Sequence, residues 1–126
     1  MGQKYLIDSN VVIDYLGNKL PPNGTAFIDK LMPVISIISR IEILGWHGAS
    51  SEQINKLLSF INNAFIYPLN EPVVQKTILI RLQFKIKTPD AIIASTALVY
   101  DLSLLSHNNK DFKGIPGLTA IGPYTL

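Results

Sequence analysis

Short apolar runs alternate along this chain with segments whose apolar residues recur every three or four positions, a pattern that predicts strands and helices in turn. KYLI, Lys4–Ile7, predicts a first strand; SNVVIDYL, Ser9–Leu16, predicts a helix with Val11, Val12, Tyr15 and Leu16 on one face, ended by Gly17. After the punctuation PPNG, Thr25–Met32 predicts a second helix that buries Phe27, Ile28 and Leu31. Pro33 then hands over to a β-branched second strand, VISII. Helices are predicted at Ser39–Trp46 and at Ser51–Asn62, the latter with Ile54, Leu57, Leu58 and Ile61 at helical spacing. A third strand is predicted at Phe65–Leu69, helices at Glu71 to about Phe84 and at Pro89–Tyr100, a fourth strand at Leu102–Leu105, and an edge strand near Leu118–Ile121. Strands alternating with helices form βαβ units, so the expected fold class is α/β with a mostly parallel sheet covered on both faces.

Composition narrows this picture. A chain of 126 residues is expected to form one domain, residues 1–126, with a single core. With 48% apolar and 16% charged residues it has the profile of a compact globule. The formal charge of +2 announces no overall basic field, so a nucleic-acid role requires a local patch. The absence of cysteine excludes disulfides and thiolate metal sites, leaving oxygen or imidazole as ligands for any metal. MGQKYLID lacks the features of a signal peptide, and no apolar run approaches the ~20 residues of a membrane span, which gives a cytoplasmic expectation.

Three carboxylates fall at strand exits or in first helical turns: Asp8, Glu42 and Asp90. Each has a purely structural explanation. Asp8 or Ser9 is a favourable N-cap for the helix that follows. Ser39 and Glu42 form the capping-box pattern SRIE. Asp90 follows Thr88, a candidate N-cap, and Pro89, and its charge suits the positive end of a helix. Capping does not, however, require that all three acids meet at the carboxyl edge of one sheet, where α/β folds form their ligand crevices. Carboxylates gathered there repel one another unless a cation sits among them, and hard oxygen ligands favour Mg²⁺ or Mn²⁺, whose natural chemistry is at phosphodiesters.

The segments YLIDSNVVIDYL, ISRIEILGW and TPDAIIASTALVYDLSLLSHNNKDFKGIPGL together resemble a PIN domain, more closely a VapC-type toxin ribonuclease of a toxin–antitoxin pair. The resemblance covers essentially the whole chain. It implies a three-layer α/β/α sandwich, a metal-dependent endoribonuclease that cleaves RNA, an antitoxin partner and a homodimer. It further implies that Asp8, Glu42 and Asp90 bind metal, with Asn10 and Ser106 as polar supports. The position two residues past Ser106, which usually carries a fourth acid, holds Asn108, and the first carboxylate afterwards is Asp111, the candidate favoured for any charge-dependent role. Ser9 and Ser39 complete the expected supporting set.

Arg40, Lys85, Lys87, Lys110 and Lys113 are the cations expected to contact RNA, each also readable as an ordinary solvated side chain. His47 and His107 read as structural or exposed. Ala91, Ala94, Ser95 and Ala97 predict close packing of their helix, read as contact with the domain's own sheet. The resemblance places an antitoxin groove among the early helices, with Val12, Tyr15, Leu16 and Trp46 as its apolar candidates. A phosphotransferase with Asp8 as nucleophile would want a second acid where Asn10 stands, and a receiver domain would want a lysine where Ser106 stands. The stronger alternative is a non-catalytic PIN-like module that binds RNA or protein and shares every structural cue.

Overall fold

A computed structural model of the chain describes residues 4–107 and 109–126. In chain order the elements are β1 (Tyr5–Ile7), α1 (Ser9–Leu16), α2 (Pro22–Asp29), β2 (Val34–Ser36), α3 (Ile37–Leu44), α4 (Ser51–Asn62), β3 (Phe65–Tyr67), α5 (Glu71–Gln83), α6 (Thr88–Val99), β4 (Ser103–Leu105), α7 (Asn109–Phe112) and β5 (Ala120–Ile121). All the ladders are parallel: β1 pairs with β4, β4 with β5, and β2 with β3. β2 lies beside β1, although no ladder joins them among the described residues.

The strands are short, yet the period of two along each fixes the layers. Leu6, Val34 and Leu104 face one core, and their successors Ile7, Ile35 and Leu105 face the other. The register Leu6↔Leu104 and Ile7↔Leu105 keeps each set on its own side. The first core is closed by Ile80 of α5, by Ala91, Ile93, Ala94 and Ala97 of α6, and by Phe112 of α7. The second is closed by Val11 and Val12 of α1, Ile28 of α2, Ile43 of α3, and Leu57 and Ile61 of α4. This is the expected three-layer α/β/α sandwich.

β1 leads through α1 and α2 to β2, lying on one side of it, while β4 returns to its other side. Strand order therefore reverses at the β1–β4 seam, and a parallel sheet opens a crevice at the carboxyl end of such a seam. Asp8 and Ser106 are the residues that leave β1 and β4 there.

Four local expectations are corrected. α2 starts at Pro22 rather than at Thr25, because Pro21 and Pro22 suit a first turn that has no need of their N–H groups. VISII gives up its last two residues to α3: Ser36 ends the strand and caps the helix, its Oγ accepting from Ile38 N at 3.1 Å. Ser39 consequently lies inside α3, buried, with no hydrogen-bond partner for its Oγ among the described residues, so the SRIE capping box does not form. Thr88 is likewise the first residue of α6 rather than its cap, a position taken by Lys87. Ser36→Ala is expected to cost about 1 kcal/mol of unfolding free energy, the usual value of an N-cap. Ser39→Ala is expected to be neutral or stabilising, since it deletes an unsatisfied buried hydroxyl. Chemical denaturation compares the two variants, and the reverse order would restore the capping box.

Candidate active site

Asp8 is built by two demands of the chain around it. Its amide still donates to Leu105 O (2.9 Å) across the β1–β4 seam, while its carbonyl already accepts from Val11 N and Val12 N at the start of α1. The main chain thus satisfies the Val11 amide, one of those that a capping side chain ordinarily serves. The carboxylate is free to turn into the crevice, where Oδ1 accepts from Ser9 N (2.8 Å) and Oδ2 from the Ser106 hydroxyl (3.0 Å). Both Asp8 and Ser106 are buried.

The other acids come from separate elements. Glu42 projects from α3, and its Oε1 accepts from the Ser9 hydroxyl at 3.1 Å, so adjacent residues 8 and 9 tie together two of the three acids. Asp90 lies in the first turn of α6, partly buried. Asp111 lies on α7, a single turn pinned to the core by the buried Phe112. Burial pushes the Asp8 carboxyl from an ordinary 3.8 up to about 6, opposed by the bonds from Ser9 and Ser106 and reinforced by the charges of Glu42 and Asp90. Asp90 is also raised, by burial first and then by Asp111, with Lys87 opposing. Charge repulsion links the acids pair by pair, Glu42 and Asp90 each acting on Asp8 and Asp111 acting on Asp90.

Of the residues read as supporting, Ser9 donates to Glu42 and Ser106 to Asp8. Asn10 is exposed, and its side chain bonds none of the acids among the described residues; Ser39 is buried away from its expected cap role. Asn108 lies outside the described residues. Asn109, which sequence reasoning passed over, clamps the crevice: in the amide orientation that satisfies both neighbours, it donates to Ser106 O and accepts from Gly122 N, each at 3.1 Å. It joins the turn after β4 to the segment after β5, a contact across the sheet that no local spacing signals.

A cavity of about 430 Å³ is lined by Asp90 and Asp111 together with Arg81, Lys85, Ile86 and Lys87. Lys85 and Lys87 thus line one cavity with Asp90 and Asp111. Arg81 was missed; its Nε donates to Ile86 O at 3.3 Å, which holds the end of α5 against the approach to α6. The available signal was three cations within seven residues leading into TPD. Arg40, Lys110 and Lys113 are exposed and do not line this cavity. His47 is exposed after α3.

Two further cavities flank α1. One is lined in part by Leu16, Trp46 and Lys56, the other by Tyr15, Leu16, Asp29, Lys56 and Phe60. Val12, expected on this surface, is instead 0% exposed in the core, because the helical face that carries it turns toward the sheet.

A family model of the PIN domain matches residues 5–118. The chain belongs to the PIN domain family. Its PIN fold is also similar to a toxin–antitoxin complex from Klebsiella pneumoniae, at 27% identity over 98% of this chain and 100% of that one, with a TM-score of 0.79. The DNA-bound VapBC of Salmonella typhimurium shares the fold at 21% identity, 97% and 99% coverage and a TM-score of 0.81. FitAcB from Neisseria gonorrhoeae shares it at 22% identity, 97% and 99% coverage and a TM-score of 0.74. A comparison with curated proteins finds no match. No helix among the described residues is long and apolar enough to cross a membrane.

The donor chemistry of this PIN crevice is all carboxylate oxygen, which suits a hard divalent cation and no soft one. No three His, Asp or Glu side chains among the described residues stand close enough to enclose an ion by themselves. Mg²⁺ asks for less, since it retains several waters and takes one or two carboxylates. Asp8 and Asp90 are raised partly by neighbouring carboxylates, a repulsion that a bound divalent cation would relieve.

A carboxyl whose pKa rises on folding holds its proton more tightly in the native chain. Stability is therefore lost as pH rises from 3.8 to about 6 and stays lost above that window. Asp8→Asn removes the buried charge, so without divalent ions it is expected to raise unfolding free energy near neutral pH by about 1–3 kcal/mol. The gain fades as pH falls toward 4, and denaturant titrations across this range measure it. A variant no more stable than the wild type at neutral pH would contradict the burial of this charge.

Proposed function

We propose that this PIN protein is a metal-dependent endoribonuclease, the toxin of a toxin–antitoxin pair, acting in the cytoplasm as a homodimer formed by a single domain spanning residues 1–126. The observation that carries the reading is the buried carboxylate of Asp8 at the β1–β4 seam, linked to Glu42, Asp90 and Asp111 and bordered by the cationic cavity of Arg81, Lys85 and Lys87. A buried acid with further acids beside exposed cations suits a phosphodiester, whose backbone charge the cations draw in.

Asp8, Glu42, Asp90 and Asp111 are the residues that would hold one or two Mg²⁺ or Mn²⁺ ions. A bound cation of this kind supplies Lewis-acid chemistry for phosphodiester hydrolysis. The chain's own contribution is positioning. Ser106 fixes the rotamer of Asp8, Ser9 ties Glu42 to the same turn, and Phe112 anchors the helix that carries Asp111. Asp111 is the fourth acid in this reading, because its charge already acts on Asp90. The Klebsiella complex, similar over nearly the full chain, supports an antitoxin partner, and the cavities flanking α1 at Tyr15, Leu16 and Trp46 are its docking surface.

Purified protein is expected to cut single-stranded RNA with Mg²⁺ or Mn²⁺ and to stop when the ion is chelated. Asp8→Asn, Glu42→Gln, Asp90→Asn and Asp111→Asn are each expected to lower the rate by about 10²-fold or more while the fold persists. Full activity in Asp8→Asn would refute the metal assignment, and full activity in Asp111→Asn would remove Asp111 alone. Binding of RNA without any cleavage would favour the non-catalytic module. Lys85→Ala and Lys87→Ala are each expected to weaken RNA binding and to reduce its logarithmic salt slope by about 0.7 per lost phosphate contact. An unchanged slope would place these lysines outside the RNA path.

A further inference from the structure

The cationic rim lies on the Asp90–Asp111 side of the crevice, and a different surface borders the Asp8 side. The His107 ring, exposed on the turn directly after Ser106, lies against the Tyr124 ring with centroids 4.6 Å apart and planes tilted by 38°. Tyr124 is close enough to Asp8 for that charge to act on its phenol. It belongs to residues 119–126, which follow the span matched to the PIN domain.

The pair is held from several directions. The Tyr124 phenol donates to Asp14 Oδ2 on α1. Asn109 bonds both Ser106 O and Gly122 N, which fixes the backbone next to each ring. Pro123 is buried against Gly24 of α2, so closely that a Cβ at Gly24 would lie 2.1 Å from Pro123 O. Asn23 donates to Leu126 O at 3.1 Å. A histidine ring that is exposed yet backed by a tethered tyrosine loses little freedom when a flat ligand stacks on it.

We propose that His107, backed by Tyr124, is a stacking platform for an unpaired nucleobase of single-stranded RNA. The proposal rests on the nuclease reading above and names the form of its substrate. A strand whose phosphates follow Arg81, Lys85 and Lys87 past the acids presents its next base to the opposite rim. A duplex keeps its bases stacked internally and has no free face to offer, so the platform selects loops and single strands.

The test measures binding of a short single-stranded RNA and of a series carrying one abasic site moved along the strand, in an Asp8→Asn background that leaves the strand uncut. With His107 present, one abasic position is expected to weaken binding about tenfold. His107→Ala is expected to weaken the intact strand by a similar factor and to become insensitive to that abasic position, whereas His107→Phe restores both affinity and sensitivity. If His107→Ala keeps the same affinity and abasic profile, the platform is wrong while the nuclease reading stands. If the wild-type protein neither binds nor cuts single-stranded RNA, both readings fail together.

Discussion

Burial of a single carboxylate organises this molecule. Asp8 is carried out of water by the strand it terminates, and a buried carboxylate is tolerated only where hydrogen bonds or a cation compensate it. The structure supplies two hydrogen bonds, from Ser9 N and Ser106 Oγ, and nevertheless leaves the group raised to about 6. That residual penalty is enlarged by the charges of Glu42 and Asp90, so the native fold keeps a carboxyl whose ionisation costs stability.

The sheet is minimal, with strands of two or three residues, and most of its strength comes from the layers it separates. Such short strands suffice because each apolar pair sends one side chain to each core. The small residues of α6 serve the same end. Ala91, Ala94, Ser95 and Ala97 are all buried, and Ser95 Oγ donates to Ala91 O at 2.6 Å, so a polar side chain is satisfied within its own helix while α6 packs closely against α5. With α6 held this way, Asp90 stands at a defined distance from the β1–β4 seam.

Around the acids the crevice is asymmetric. Arg81, Lys85 and Lys87 border Asp90 and Asp111, whereas Tyr124, against which His107 lies, is near Asp8. Charge attracts a polyanion without regard to sequence, and stacking on a flat ring requires an unpaired base of any kind. The cationic border comes from consecutive turns of the chain before α6, but the aromatic border joins the β4 exit to a segment beyond β5, with Asn109 as the link.

Much of the molecule was legible before any coordinates. Ser9–Leu16 and Ser51–Asn62 have the bounds that periodicity predicts, since their apolar stripes and terminators are local signals, and Asp8 and Asp90 sit at the strand exit and helix start their neighbours announce. Where the sequence misled, two local signals competed: VISII read as strand to its end, and Ser39 with Glu42 read as a cap, whereas Ser36 starts the helix within the β-branched run. Order along the chain therefore determined the α/β class, the strand exits and the acids among which a site must be sought. Only the tertiary structure decided which groups meet. It sent Val12 to the core, joined Ser106 to Asp8 across 98 positions, drew Arg81 to the rim and set Tyr124 beside His107, because such contacts depend on strand order and packing that no short window of sequence encodes.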